Sequence, residues 1–203
     1  MDKEKTWDEV WEKTEELPWF RRKSHEFIKT GLKRILTWTK ISKNARIVDV
    51  GCGSGTTLYF FRDLGYRNSI GIDSSQHSIR TCEKLFGFKR GKDVFLTDAT
   101  KTGFRSGEFD LVFSNGLLEH FANFTPLVKE MCRISKQHIL LFQPDPTSLV
   151  ARFLSFSRKL GFFSGPKEYF YDKRVYQNTF SKFSFKLIHS GKYGLGGMYL
   201  LFG

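Results

Sequence analysis

From residue 45 onward the apolar positions change rhythm several times, and each change marks the edge of an element. Arg46-Ile47-Val48-Asp49-Val50 is a short β-branched run of the kind that suits a strand. It leads into Gly51-Cys52-Gly53-Ser54-Gly55, after which helical spacing takes over from about Thr56 to Leu64. Ser69 to Asp73 reads as a second strand, Gln76 to Phe86 as a helix, Val94 to Leu96 as a third strand and Phe109 to Ser114 as a fourth. A helix is expected over roughly Gly116 to Arg133, and a fifth strand over His138 to Phe142, stopped by Pro144 and Pro146. The strands are nearly unbroken apolar runs alternating with helices, which predicts a mostly parallel sheet covered by helices on both faces. The last stretch differs. Phe183 to Ser190 and Gly197 to Phe202 are strand-like and joined by the Gly-rich residues 191–196, a link too short for a crossover, so an antiparallel hairpin is expected.

Upstream, Trp7 and Trp11 share a helical face, and Pro18 interrupts that segment. A helix follows from about Arg21 to Lys40, with Phe27, Ile28, Leu32, Ile35 and Leu36 as its apolar stripe. These patterns divide one domain of 203 residues into an N-terminal helical cap (1–44), an α/β core (45–143), a segment after the fifth strand (144–182) and a C-terminal hairpin (183–203).

Charge and cysteine content narrow the setting. No apolar run reaches the roughly 18 residues of a membrane span, and the start of the chain lacks the pattern of a secretory leader, so a cytoplasmic protein is expected. Cys52, Cys82 and Cys132 are far apart, odd in number and not paired with histidines at metal-ligand spacing; they read as reduced thiols, and no metal site is expected. The formal net charge is +12, and half of it falls in residues 144–203, which hold 9 Lys/Arg against 3 Asp/Glu. Such a surface attracts anionic partners (nucleic acid, phosphorylated metabolites, an acidic membrane face) or simply aids solubility, and the scattering of the charges among aromatics leaves both readings open. The sequence sets no oligomeric state.

The chemistry concentrates in the loop after the first strand. Glycines there permit a tight turn and the close approach of a ligand to the backbone, and the amides at the start of the next helix point at an anionic group. Asp73 ends the second strand about 20 residues on, where a carboxylate can accept hydrogen bonds from both ribose hydroxyls. Asp98, assigned to the end of the third strand, is placed to meet an adenine amino group. A dinucleotide would need G-x-G-x-x-G and room for a diphosphate. This loop is D-x-G-x-G-x-G, tighter and led by an acid. Asp49 would repel a diphosphate but accept hydrogen bonds from the ammonium of an amino-acid moiety, which favours S-adenosylmethionine over a nicotinamide dinucleotide.

The segments IVDVGCGSGTTL, SIGIDSS, FLTDAT, SGEFDLVFSNGLLEHF and HILLFQPDP together resemble the successive motifs of class I S-adenosylmethionine-dependent methyltransferases. They are nearest the small-molecule branch that includes the ubiquinone- and menaquinone-biosynthesis enzymes. The resemblance covers about residues 44–143. It implies a Rossmann-like, seven-stranded sheet whose last strand is antiparallel. It also implies that Gly51, Gly53 and Gly55 line the methionine portion of the cofactor, Asp73 the ribose, and Asp98 with Ala99 the adenine, while Ser114 and Asn115 lie near the methyl group. Asp49, Cys52 and Ser74, within the same motifs, complete the candidate cofactor set. Trp19 in Glu-Leu-Pro-Trp resembles a cofactor-covering segment of some small-molecule relatives, or is simple helix packing.

The donor's methyl is already activated, so the protein's task is alignment at about 3–3.5 Å and exclusion of water. A base is needed only where the acceptor keeps its proton. His120, expected in the helix after the fourth strand, is the candidate base, or else part of the site wall. Residues 144–182, with Arg152, Phe153, Phe156, Phe162, Phe163, Tyr169, Phe170, Tyr171 and Tyr176, are expected to cover a pocket for an apolar or aromatic small-molecule acceptor. An RNA or protein methyltransferase is the alternative suggested by the charge. Against nucleic-acid bases, Ser-Asn-Gly-Leu stands where amino-methylating base enzymes show Asn/Asp-Pro-Pro-aromatic. A non-catalytic cofactor-binding protein is the third possibility.

Overall fold

The computed structural model describes residues 18–149, 168–194 and 196–203. The Trp7/Trp11 face, the side chain of Trp19 and the aromatics from Phe153 to Phe163 lie outside what is described. The elements are α1 (Pro18–Thr39), β1 (Ile47–Val50), α2 (Thr56–Asp63), β2 (Ser69–Asp73), α3 (Gln76–Phe86), β3 (Val94–Leu96), β4 (Phe109–Asn115), a 3-10 turn (Leu118–His120), α4 (Thr125–Ile134), β5 (Ser135–Pro144), α5 (Lys173–Ser181), β6 (Leu187–Tyr193) and β7 (Gly197–Phe202). The strands make one seven-stranded sheet in the order β3-β2-β1-β4-β5-β7-β6. Pairing is parallel for β1/β2, β2/β3 and β4/β5, and antiparallel for β5/β7 and β6/β7. This is the mostly parallel sheet with an antiparallel C-terminal hairpin that the hydrophobic pattern predicts. The chain divides into two compact units between Ala99 and Thr100.

Local chemistry explains the boundaries. Pro18 stands at the start of α1, where a first-turn residue needs no backbone N–H. Ser75 caps α3: its Oγ accepts from the Ser78 N–H at 3.0 Å, and Gly87 at φ 67° closes the helix in the left-handed conformation. The helix expected over Gly116 to Arg133 is really a single 3-10 turn at Leu118–His120 followed by α4. Pro126 sets this start, since it is tolerated in the first turn of α4 but would cost about 3 kcal/mol inside a longer helix. Asn123 helps, its Oδ1 accepting from the Thr125 N–H at 3.1 Å. Helix α5 falls within residues 144–182, capped by Asp172, whose carboxylate accepts from the Arg174 N–H at 2.8 Å. Strand β6 begins at Leu187 and not Phe183 and runs on to Tyr193, into the glycine-rich link, while β7 begins at Gly197 as expected.

In the first unit, Leu58, Ile79, Cys82, Phe88 and Val94 bury together with Cys52. Arg62 ties α2 to β2 through Ser69, and its guanidinium pairs with Asp93 at 3.0 Å. In the second unit, Phe180 of α5 stacks on Phe202 of β7 with ring centroids 4.2 Å apart.

Glu130 of α4 anchors the chain that leads into the second unit. Its Oε1 accepts from the Thr102 N–H at 2.8 Å and from the Thr102 hydroxyl at 2.6 Å, and Arg133 meets both carboxylate oxygens at 2.7 Å. Arg133 first, then Thr102, hold this carboxyl down at about 2 against the drag of burial. A depressed carboxyl contributes stability above its ordinary range and loses it as pH falls from about 4.5 through about 2. Glu130→Ala is expected to destabilise the fold by about 2 kcal/mol near neutral pH, from the lost buried hydrogen bonds. Chemical denaturation at pH 7 and pH 3 checks both points, because the variant's deficit shrinks at the lower pH.

Candidate active site

Strand β1 delivers the chain into a turn that only glycines follow easily. Gly51, Gly53 and Gly55 have φ of 72°, 52° and 82°, all in the left-handed region. The Gly51 and Cys52 N–H groups both donate to the Ile72 carbonyl at 2.9 Å, so the turn is stitched to the end of β2. A Cβ on Gly55 would lie 2.9 Å from Cys82 Sγ, so this position is closed to larger residues by space as well as by conformation.

Asp73 sits at the carboxyl end of β2 and holds the turn from outside. Its Oδ2 accepts from the Gly53 N–H and its Oδ1 from the Ser75 N–H, each at 2.9 Å. Sequence reasoning proposes Asp73 as a ligand contact and misses this task of fixing the loop.

Asp49 is the unusual member. It is only 1% exposed, and among the described residues its Oδ2 has no hydrogen-bond partner. Burial first, and then the neighbouring Asp73, push its carboxyl up to about 8. A buried oxygen left without a partner is costly, and a cationic donor is what would complete it. A glycine cradle, an acid awaiting a cation and a carboxylate at the next strand end together fit a nucleoside carrying an amino-acid ammonium.

The other expected site residues divide. Cys52 turns its thiol beneath the loop, against Gly71 and within reach of Cys82, so only its backbone faces the turn; the Cys82 contact and then burial raise that thiol well above the ordinary range. Ser74 is exposed beyond Asp73. Asp98 is exposed and lies two residues past β3, not at its end, with Ala99 beside it half-buried. Thr97 is tied back to β2 by its N–H, which donates to the Asp73 carbonyl at 2.9 Å. In the second unit, Ser114 is fully buried within β4 and Asn115, the last residue of β4, is half-buried. His120 stands half-buried on the 3-10 turn and not in a helix, a correction forced by Pro126.

The second unit gathers an aromatic and polar group near the carboxyl ends of β4 and β5. Phe124 lies edge-on to Tyr171 and stacks with Tyr176, at centroid distances of 4.9 and 5.3 Å. The Tyr171 hydroxyl donates to the Phe121 carbonyl at 2.7 Å, and the Tyr169 N–H donates to the Glu119 carbonyl at 2.6 Å. Glu119, overlooked beside His120, is buried, and burial first, then Glu168, push its carboxyl up to about 8. The signal for it was an acid inside the apolar run Leu117-Leu118-Glu119.

The strand order 3-2-1-4-5-7-6 sets the glycine turn at the tip of β1, with Asp49 inside that strand and Asp73 ending β2. Residues 48–142 match the family model described as a methyltransferase domain. The chain is 34% identical over 42% of its length to the Xenopus tropicalis tRNA (carboxymethyluridine(34)-5-O)-methyltransferase alkbh8, of which it spans 13%. It is 29% identical over 49% of its length to the malonyl-[acyl-carrier protein] O-methyltransferase of Legionella pneumophila, of which it spans 35%. In fold it is similar to magnesium protoporphyrin IX methyltransferase from Synechocystis PCC 6803 with bound SAH, with a TM-score of 0.69 over 96% of this chain and 92% of that one, at 14% identity.

Proposed function

We propose that this protein moves a methyl group from S-adenosylmethionine to a small molecule with an apolar or aromatic body. The observation that carries the cofactor half is Asp49: a buried carboxyl with an unmatched oxygen, behind a turn that Asp73 holds in place. In this reading Asp49, the glycines 51, 53 and 55 and the Cys52 backbone bind the amino-acid end, Asp73 and Ser74 the ribose, and Asp98 with Ala99 the adenine. Ser114, Asn115 and Trp19 are assigned to the same ligand by the sequence resemblance. When bound, S-adenosylmethionine supplies a methyl already activated on a sulfonium. The chain's own residues then bind, orient and exclude water. The aromatic group of Phe124, Tyr169, Tyr171 and Tyr176 supports an apolar or aromatic acceptor. A cytoplasmic setting belongs to the same reading; among the described residues no helix is long and apolar enough to cross a membrane.

A second reading, methylation of RNA, is favoured by a basic groove in the first unit lined by Arg46, Arg62, Arg67 and Lys92. Calorimetry with S-adenosylhomocysteine and RNA separates the two. Heat with the nucleoside and only weak RNA binding is expected. RNA affinity that falls steeply between about 50 and 200 mM salt supports the second reading. Absence of heat with the nucleoside at millimolar concentration removes both.

A further inference from the structure

The second unit holds two buried polar atoms whose hydrogen-bonding capacity the fold leaves unused. Glu119 is 5% exposed and Gln143 fully buried, and among the described residues neither Glu119 Oε2 nor Gln143 Nε2 has a hydrogen-bond partner. A buried polar atom left unpaired is costly, so two together call for a ligand.

The surroundings fix what each atom offers. The Tyr176 hydroxyl donates to Gln143 Oε1 at 3.1 Å, which turns the amide so that its N–H2 is the end left over. Glu119 is packed against the turn after β4: a Cβ on Gly116 would lie 3.2 Å from Glu119 Oε1, and Gly116 at φ 68° carries none. The Gly116 N–H donates to the Phe142 carbonyl at 3.0 Å, one residue before Gln143. The two side chains therefore leave neighbouring backbone segments. Burial first, and then Glu119, raises the phenols of Tyr176 and Tyr193, so carboxyl, amide and both phenols share one neighbourhood. The rest of its wall is aromatic: Phe124 stacks on Tyr176, and Tyr193 lies 4.5 Å from Phe142 between ring centroids.

One chemical group satisfies a spare N–H and a spare carboxyl oxygen together. A carbonyl accepts but cannot donate to a carboxylate, and an ammonium donates but cannot accept from an amide. A hydroxyl does both through one oxygen. We infer that Glu119 and Gln143 form the polar end of the methyl acceptor's binding site, and that the group they hold is a hydroxyl on an aromatic or apolar body. This rests on the methyltransferase reading above and names its target atom as oxygen. Gln143 Nε2–H donates to the hydroxyl oxygen, and the ionised Glu119 takes its proton. As the O–H bond breaks, the oxygen's electron pair forms the new O–C bond while the donor's C–S bond breaks, leaving a neutral thioether and a protonated Glu119 that returns its proton to water. Burial brings the Glu119 carboxyl towards the range of a phenol, which makes that proton transfer easier than it would be to an exposed carboxylate.

The test uses the full chain saturated with S-adenosylhomocysteine and two probes, 4-methylphenol and 4-methylanisole, which differ by a methyl in place of the hydroxyl hydrogen. The phenol is expected to bind about tenfold or more tightly than its methyl ether. Glu119→Leu and Gln143→Leu each erase that preference while nucleoside affinity stays at the wild-type value. Glu119→Gln keeps the shape of the side chain and guards against misfolding of the leucine variants; in it the pH dependence of phenol binding around pH 8 flattens. Equal affinity for the two probes in a wild-type protein that binds the nucleoside overturns the inference and leaves the methyltransferase reading standing, as does a preference retained in the variants. Failure of the wild type to bind the nucleoside sinks that reading and the inference with it.

Discussion

Replacing Asp73 with alanine is expected to weaken S-adenosylhomocysteine binding about a hundredfold, close to 3 kcal/mol. Two losses combine. The ribose loses its carboxylate partner, and the Gly53 and Ser75 N–H groups lose the acceptor that holds them at 2.9 Å. Bonds to a charged acceptor are each worth about 1.5–3 kcal/mol, so even partial replacement by water leaves a large deficit. Calorimetry measures the affinity, and amide exchange at Gly53 reads the loop separately. Faster exchange in the unliganded variant is expected. An affinity within threefold of the wild type would show that the ribose sits elsewhere.

The second large effect is on pH. In the unliganded protein the Asp49 carboxyl stands at about 8, so it is mostly protonated at neutrality. A bound ammonium favours the ionised form, and binding therefore releases a proton. Affinity is expected to climb with pH by up to about tenfold per unit below that value and to level off above it. The sign of the stability effect is opposite. A carboxyl raised in the folded state stabilises the fold at low pH, and this contribution is lost progressively as pH rises from about 4 through about 8. The unliganded protein thus weakens over the interval in which nucleoside binding strengthens, and the gain in melting temperature on adding the nucleoside should grow with pH. Asp49→Asn removes both slopes. A wild-type affinity that is flat between pH 6 and 8 would show that no cation reaches Asp49.

The first unit was legible because its boundaries are set by local chemistry. Ser75 and Gly87 bracket α3 by capping, and Asp73 ends a strand whose β-branched and glycine residues admit no helix. The glycine turn was legible for the same reason: three left-handed positions in five residues leave few other shapes. Errors gathered where tertiary contacts decide. The run from Gly116 to Arg133 has helical spacing, yet Pro126 and the Asn123 side chain move the start of α4 to Thr125 and leave Glu119 and His120 on a separate turn. Helix α5 went unread, although Asp172 ahead of it was a readable cap and its buried residues Tyr176, Thr179 and Phe180 fit a helical face. Gln143 was hidden differently. It ends an apolar strand run as one polar residue, and only burial without a partner for its amide N–H marks it out.

Chain order and sheet order part company at the hairpin. β7 lies between β5 and β6, so β6 joins the sheet through a partner that follows it in the chain. As the polypeptide leaves the ribosome, the apolar flank of β5 and the more polar β6 must wait unpaired until Gly197–Phe202 slides between them, whereas β1, β2 and β3 are long since free to assemble. The newborn chain consequently passes through an interval in which its second half offers open strand borders to other molecules, and that interval is where a cell's holdase chaperones have most to protect.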